Sequence, residues 1–444
     1  MKKKGFLSSV IGIAVPVGLQ SMLQSSFSMV DQLMVGQLGT AAVSAVEVAG
    51  RPAFICSVIT GAVAAIAGIM ISQYLGMKDG DMADRSLSVN LAIAAVLAAL
   101  FGGVCLLLPE QIVGIFVGDD DAIRSAGGSY LRIILWTYLP MGIASILAVM
   151  IRCMDKAVWP LAAGITSAVV NTGLNFVLIF GHLGFPAMGL AGAAIASFVS
   201  QLVNLLLIFA MFCRLRKGFR LSLMVGSAFW KQYLSMLLPL LATEFLWSLG
   251  QNVNTFIYGH MAAGDLAAMS MTGPIQGLFT GALCGVSQAA GILIGKRLGA
   301  EEYQEAYRES KKLVGYGIIG SLILSVIVIA VRGFYVTLYN VEPQVQDTAQ
   351  MLLLAFAILA PVKVTNMILG GGVVRSGGKT AYIMVIDIVG TWLVGVPLGL
   401  ITAFVFHMNV FWVYFILSQE EVVRLMMTIF VFRRGSWMNR LEAA

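Results

Sequence analysis

Long uninterrupted apolar runs constrain this chain more than any other feature of its sequence. Residues 91–108 and 313–331 contain no charged side chain, and each run is long enough to cross about 30 Å of hydrocarbon as a helix. The chain is 59% apolar and only 11% charged, which is more apolar surface than a soluble protein can bury in one core. The sequence therefore predicts a polytopic helical membrane protein, and it excludes a soluble enzyme and a nucleic-acid-binding protein.

Glycine, proline and charged residues divide the chain into twelve apolar segments. The predicted fold class is accordingly an all-α membrane protein, and its connections are too short to hold a soluble domain. The predicted transmembrane helices are residues 9–35, 44–75, 86–108, 125–152, 159–182, 187–213, 231–258, 268–298, 312–334, 347–375, 381–406 and 410–432.

The positions of the basic residues indicate how the chain crosses the membrane. If the N-terminus is cytoplasmic, 22 of the 28 Lys and Arg residues lie on the cytoplasmic side, and the acidic run at 119–121 lies outside. Cytoplasmic loops of membrane proteins carry such an excess of positive charge. We therefore predict that both termini are cytoplasmic.

The two halves of the sequence are related by an internal repeat at a constant offset of 223 residues. Each half contains six predicted spans, so the halves enter the membrane in the same orientation and are parallel repeats. We expect two six-helix lobes, 1–222 and 223–444, related by a pseudo-two-fold axis, as in alternating-access transporters. The matches include residues that rarely coincide by chance in apolar sequences: Pro16 with Pro239, Gly36 with Gly259, Leu75-Gly76 with Leu298-Gly299, Arg85 with Arg308, and Arg152 with Arg375.

Three segments resemble the multidrug and toxic compound extrusion (MATE) family: SMVDQLMVGQLG at 28–39, GLAGAAIAS at 189–197, and RSGGKT at 375–380 with GVP at 395–397. The resemblance extends over the whole chain, including the span count and the repeat. It implies a secondary antiporter of a bacterial cytoplasmic (inner) membrane that exports lipophilic, usually cationic compounds in exchange for H⁺ or Na⁺. It implies no enzymatic activity, no cofactor beyond the coupling ion and no obligate protein partner, with contacts confined to substrates and membrane lipids.

Asp31, in the first span, is the first candidate site residue, because an ionisable group in hydrocarbon is costly unless it has a function. The resemblance implies a cation site in the amino-terminal lobe, formed by Asp31, Asn171, Asn175 and Ser197. Asn171 and Asn175 are one helical turn apart and share a face. Asn175 stands where the family has a carboxylate, and Ser197 stands where it has a threonine. We expect Na⁺ at Asp31, Asn171 and Asn175, or a proton on Asp31. The alternative is that Asp31 is a structural hydrogen-bonding residue.

The second half contributes a different set of candidates. Glu244 follows Pro239 in the seventh span and resembles part of a site in the carboxy-terminal lobe. Asp387 lies in the eleventh span. Lys363, in the tenth, is predicted to be the counter-ion of Asp387 or Glu244. Pro16 and Pro239 occupy matching points of the repeat and are predicted bending points, because each removes a helix hydrogen bond.

Two further charged pairs have the spacing of one helical turn. Glu47 with Arg51, and Glu420 with Arg424, are each four residues apart. At this spacing opposite charges on a helix face each other. We predict that both are intrahelical ion pairs without a role in transport.

A flippase and an intramembrane hydrolase are the two alternatives to export. A flippase for lipid-linked glycans, built on a related fold, requires a cleft lined by several Arg, whereas most basic residues here belong to the predicted cytoplasmic rim. An intramembrane hydrolase requires Ser/His, paired Asp or zinc-binding chemistry within the spans, and the sequence shows none. The flippase is the alternative that remains.

Overall fold

A computed structural model describes residues 5–117, 121–261, 264–339 and 341–442, and all regular structure in these ranges is helical. The helices of the first half are α1 (Phe6–Gly36), α2 (Thr40–Gly76), α3 (Gly80–Leu107), α4 (Pro109–Val117), α5 (Asp121–Ile134), α6 (Tyr138–Cys153), α7 (Val158–Phe180) and α8 (Gly189–Leu215). Those of the second half are α9 (Ser227–Gly259), α10 (Asp265–Gly299), α11 (Tyr303–Val336), α12 (Pro343–Asn366), α13 (Thr380–Asp387), α14 (Val396–Leu400), α15 (Val410–Leu417) and α16 (Glu420–Arg434).

Eleven helical stretches among the described residues are long and apolar enough to cross a membrane. In hydrocarbon every backbone N–H and C=O must find a partner within the chain, and a continuous helix achieves this locally. The predicted all-α, multi-pass membrane fold is confirmed. Of the predicted charge clusters, Lys2–Lys4, Asp119 and Asp120 lie outside the described residues.

The last predicted span, 410–432, is divided in the structure. Helix α15 ends at Leu417, and α16 begins at Glu420 with two acidic residues in its first turn. Because α16 carries Glu420, Glu421 and Arg424, it is less apolar than the other spans. Two of these side chains, Glu421 and Arg424, line a cavity.

Spans ten and eleven contain π-helical stretches, at Met367–Val374, Ile388–Gly395 and Ile401–Val405. A π-turn places one extra residue in the helix, and such turns often occur at functional sites. The first stretch follows α12 directly, and the second follows Asp387. Both therefore lie next to candidate functional residues.

The described residues form two compact units. The N-unit consists of residues 19–71 and 80–225. The C-unit consists of the described residues up to Gly18, Ser72–Asp79 and the residues from Gly226 onward. The first part of α1 and the last part of α2 thus pack with the second half of the sequence.

Backbone conformation repeats at the offset found in the sequence. Lys78 and Glu301, 223 residues apart, both have φ of 61°, in the left-handed region. Asp155 and Gly378, at the same offset, have φ of 61° and 74°. The turns after α2 and α10 also make equivalent backbone hydrogen bonds. After α2, the N–H of Lys78 donates to Leu75 C=O and that of Asp79 donates to Tyr74 C=O. After α10, the N–H of Glu301 donates to Leu298 C=O and that of Glu302 donates to Arg297 C=O.

Two glycines of the C-unit make reciprocal close contacts between α2 and α10. A Cβ added to Gly76 would stand 2.2 Å from the carbonyl oxygen of Lys296, and one added to Gly299 would stand 2.0 Å from that of Gln73. Gly76 and Gly299 are equivalent in the repeat, as are Gln73 and Lys296. Each helix therefore contacts the other through the same two positions, as at a two-fold axis.

This contact predicts that Gly299→Ala destabilises the protein. The added methyl group would overlap the Gln73 carbonyl oxygen, and overpacking of this kind typically costs about 1–3 kcal/mol. Gly277→Ala in the same helix is the matched control, because no atom lies within 4 Å of a Cβ at that position. Thermal unfolding of both variants in detergent tests the prediction. Equal midpoint temperatures for the two variants would contradict the close contact.

Candidate functional site

Asp31 of α1 lies against two buried asparagines of α7. The side-chain nitrogen of Asn175 donates a hydrogen bond of 2.6 Å to Asp31 Oδ1. The Asn171 amide, oriented with its nitrogen toward Asp31, lies 2.7 Å and 3.0 Å from the two carboxylate oxygens. Asn171 and Asn175 are 8% and 2% exposed. The structure therefore brings together three of the four residues predicted for this site.

Two cavities of the N-unit meet at Asp31. One, of about 430 Å³, extends from Asp31 past Asn171 to Gln20 and Arg152. The other, of about 630 Å³, extends from Asp31 and Asn175 to Glu47 and Arg51. Because Asp31 lines both cavities, its carboxylate is reached from both sides.

Ser197 of α8 also lines both cavities. No hydrogen bond joins its side chain to Asp31 among the described residues. The backbone carbonyl of Ser197 instead accepts a hydrogen bond of 2.9 Å from the Ser200 hydroxyl. Ser197 thus lies in the wall of both cavities, next to Asp31 but without a side-chain hydrogen bond to it among the described residues.

Glu47 and Arg51 form the predicted ion pair on α2. The Arg51 guanidinium nitrogen lies 2.8 Å from Glu47 Oε1, and both side chains are more than half exposed. The predicted pairing is confirmed.

The C-unit contains a cavity of about 360 Å³ that is lined by six charged side chains. Trp247 and Thr243 of α9 and Asn366 of α12 contribute aromatic and polar surface. Of the lining side chains, three are basic and three are acidic: Lys363, Arg375 and Arg424, and Glu244, Asp387 and Glu421.

Arg424 of α16 is the counter-ion of Asp387. The distance between their nearest charged atoms is 2.7 Å, and the two side chains are only 13% and 21% exposed. A second guanidinium nitrogen of Arg424 lies 3.7 Å from Glu421. Asn366 donates to Glu421 Oε2 at 2.8 Å. The predicted partner of Arg424, Glu420, makes no ion-pair contact with it among the described residues, because Arg424 faces α13 and Glu421.

Glu244 is paired more loosely, with Arg375. Their nearest charged atoms are 3.9 Å apart, at the outer limit for an ion pair. Lys363, predicted to neutralise Asp387 or Glu244, contacts neither of them. The structure corrects that prediction, because the two arginines take the role of counter-ion.

Sequence reasoning missed Arg375 as a cavity residue and placed it on the cytoplasmic rim. The repeat contains a signal that identifies it. Arg152, its equivalent at the offset of 223, lines the N-unit cavity and donates a hydrogen bond of 3.1 Å to Gln20. In each unit, then, an arginine near the end of a span reaches the polar cavity.

A family model, MatE, matches the chain twice, at residues 16–177 and 239–401. The two matches begin 223 residues apart, at Pro16 and Pro239, which is the offset of the internal repeat. Together they cover most of the sequence.

Individual relatives are similar over nearly their whole length. The transporter YisQ of Bacillus subtilis is 24% identical over 98% of this chain and 94% of its own. The probable multidrug resistance protein NorM of Rhizobium meliloti is 24% identical over 89% of this chain and 85% of its own. The MATE transporter VcmN of Vibrio cholerae, solved in the bent form, superposes with a TM-score of 0.88 at 16% identity, covering 97% of both chains.

Proposed function

Since the chain belongs to the MatE family and is thus a multi-pass membrane transporter and not an enzyme, we propose that it exports lipophilic, cationic organic compounds by ion-coupled antiport. The proposal places it in the cytoplasmic membrane, with both termini inside and with lobes 1–222 and 223–444. Relatives described as multidrug resistance proteins support export as the direction of transport.

The observation that carries the coupling mechanism is the position of Asp31. Its carboxylate lies where two cavities meet and is held by the amides of Asn171 and Asn175. An ion that enters from outside reaches Asp31 through one cavity, and neutralisation of the carboxylate weakens its hydrogen bonds to the asparagines. The resulting change in α1 is coupled to release of the substrate.

The coupling ion is H⁺ or Na⁺, and the same residues serve either ion. A proton needs only the Asp31 carboxylate. Na⁺ needs several oxygen ligands, and the buried Asn175 Oδ1 has no hydrogen-bond partner among the described residues. Because the Asn175 nitrogen faces Asp31 in the structure, binding of Na⁺ requires the amide to rotate so that its oxygen faces the carboxylate.

The structural change is proposed to occur at Pro16 and Pro239. Both prolines lie inside long helices, α1 and α9. Proline has no N–H to donate to the preceding turn, so a helix bends there at lower cost. Glu244, one turn beyond Pro239, is proposed to bind the cationic group of the substrate.

Transport in proteoliposomes tests the proposal. A fluorescent lipophilic cation is trapped inside, and H⁺ and Na⁺ gradients are imposed separately. We expect one gradient to drive efflux of the dye and the other to have little effect. Absence of efflux under both gradients would reject the proposed function.

A flippase for lipid-linked glycans is the second candidate, because three basic residues line the C-unit cavity. Three carboxylates balance them there, which favours the exporter. Lipid translocation measured in the same vesicles distinguishes the two functions.

The orientation predicts which introduced cysteines react with an impermeant thiol reagent added to intact cells. In a Cys213→Ser background, Glu342→Cys should be labelled from outside and Lys217→Cys should not. Both positions precede or follow long helices and are exposed. Labelling of Lys217→Cys from outside would contradict the predicted topology, because it would place the excess of basic residues outside the cell.

A further inference from the structure

Lys363 occupies an unusual position in the C-unit cavity. It lies near the end of α12, and its side chain is exposed in a cavity that Glu244 and Asp387 also line. A charged group within a membrane span normally pairs with a neighbour or serves function. The contacts of the surrounding charged side chains indicate whether Lys363 is paired with a neighbour or is available for a function.

The neighbouring charges are already paired with one another. Arg424 pairs with Asp387 and Glu421, at 2.7 Å and 3.7 Å, and Arg375 pairs with Glu244 at 3.9 Å.

Lys363 makes no hydrogen bond and no ion pair with any residue that the structure describes. Glu420 attracts Lys363 electrostatically, but the two side chains are not in contact. Glu420 also lies outside the cavity lining. The ammonium group of Lys363 is therefore the one lining charge without a contacting partner among the described residues.

The chemistry of the cavity restricts what this ammonium group can bind. Lysine presents a compact charge with three N–H donors, which suits a single carboxylate. The lining contains three basic and three acidic residues. Its three carboxylates would repel a doubly charged phosphate more strongly than a singly charged carboxylate. Trp247 also lines the cavity, and its indole ring is a suitable contact for a flat organic molecule.

We infer that Lys363 is a specificity-determining residue of the C-unit cavity, and that its ammonium group binds the carboxylate of an exported compound that carries one. The cationic group of such a substrate is placed toward Glu244 and its carboxylate at Lys363. This inference rests on the proposed export of organic cations and assigns recognition of a carboxylate on such a compound to one side chain.

The test compares two forms of one rhodamine dye that differ by a single methyl ester. The methyl ester is a cation, whereas the free acid is a zwitterion. Affinities for the purified full-length protein in detergent are measured by fluorescence anisotropy at neutral pH. We expect Lys363→Met and Lys363→Gln each to weaken binding of the free acid by about tenfold, the scale of one lost charge-assisted hydrogen bond. Binding of the ester should change less than about twofold, because it has no carboxylate.

Lys231→Met is the matched control, because Lys231 is an exposed lysine at the start of α9 and does not line this cavity. It should bind both dyes as the wild type does. Equal losses for acid and ester in the Lys363 variants, or no loss for either, would overturn the inference.

The outcome for the wild type separates this inference from the proposed function. Binding of the ester but not of the acid would reject the role of Lys363 and leave cation export intact. Failure to bind either dye would contradict the proposed function, and the inference with it.

Discussion

Asp31→Asn should abolish ion-coupled export while leaving the protein folded. Asparagine keeps the size of the side chain and can still hydrogen bond to Asn171 and Asn175, but it neither takes up a proton nor supplies a charge to Na⁺. We expect the ion-driven component of dye efflux in proteoliposomes to disappear, because no other carboxylate lines the 430 Å³ cavity among the described residues.

Glu47→Gln is the matched control for this experiment. Glu47 lines the adjacent cavity, but it is exposed and pairs only with Arg51. An exposed pair of this kind contributes about 0–1 kcal/mol, so its loss should leave coupled efflux nearly unchanged. Coupled transport at the wild-type rate by Asp31→Asn would exclude Asp31 from the mechanism and support the structural role considered above.

Arg424→Met should strongly destabilise the protein. The substitution leaves Asp387 without its ion-pair partner, 2.7 Å away, in a site where both side chains are mostly buried. Removal of one member of a buried pair typically costs about 3–5 kcal/mol, because the remaining charge is uncompensated. Unfolding in detergent, followed by denaturant titration, measures the change in the free energy of unfolding.

A double-mutant cycle identifies the partner. If Asp387 is the counter-ion, Arg424→Met combined with Asp387→Asn should be more stable than the sum of the two single changes by about 1–3 kcal/mol. Arg308→Met is the control, because its pair with Glu305 is exposed and should contribute less than about 1 kcal/mol. Additive effects of Arg424→Met and Asp387→Asn would show that Lys363 or another group neutralises Asp387.

Apolar patterning predicted most of the transmembrane segments, but it did not predict their internal irregularities. Residues 410–432 resemble a single span in their length and flanking charges. In the structure the helix is interrupted between Leu417 and Glu420. The reason is that Glu421 and Arg424 line the C-unit cavity, so this segment does not present a uniform apolar surface. The π-helical stretches of spans ten and eleven likewise correspond to no simple pattern of residue types.

The N-terminal site was more predictable than the C-terminal one. Asn171 and Asn175 are four residues apart on one helix, so their shared face follows from helical geometry, and the resemblance placed Asp31 beside them. Asp387 and Arg424 are on different helices, 37 residues apart. Their contact depends on the rotation of α16 about its own axis, which residue spacing does not specify.

The sequence by itself determined the membrane fold, the predicted orientation and the two-fold repeat, because the bilayer imposes its requirements along the chain. Each span must be apolar over about 30 Å and satisfy its own backbone hydrogen bonds, and equivalent residues of a repeat remain at a constant offset. Only the tertiary structure decided which charges meet. Arg375 reaches Glu244, Arg424 reaches Asp387, and Lys363 remains without a contacting partner among the described residues, because helix packing selects the side chain that faces each cavity.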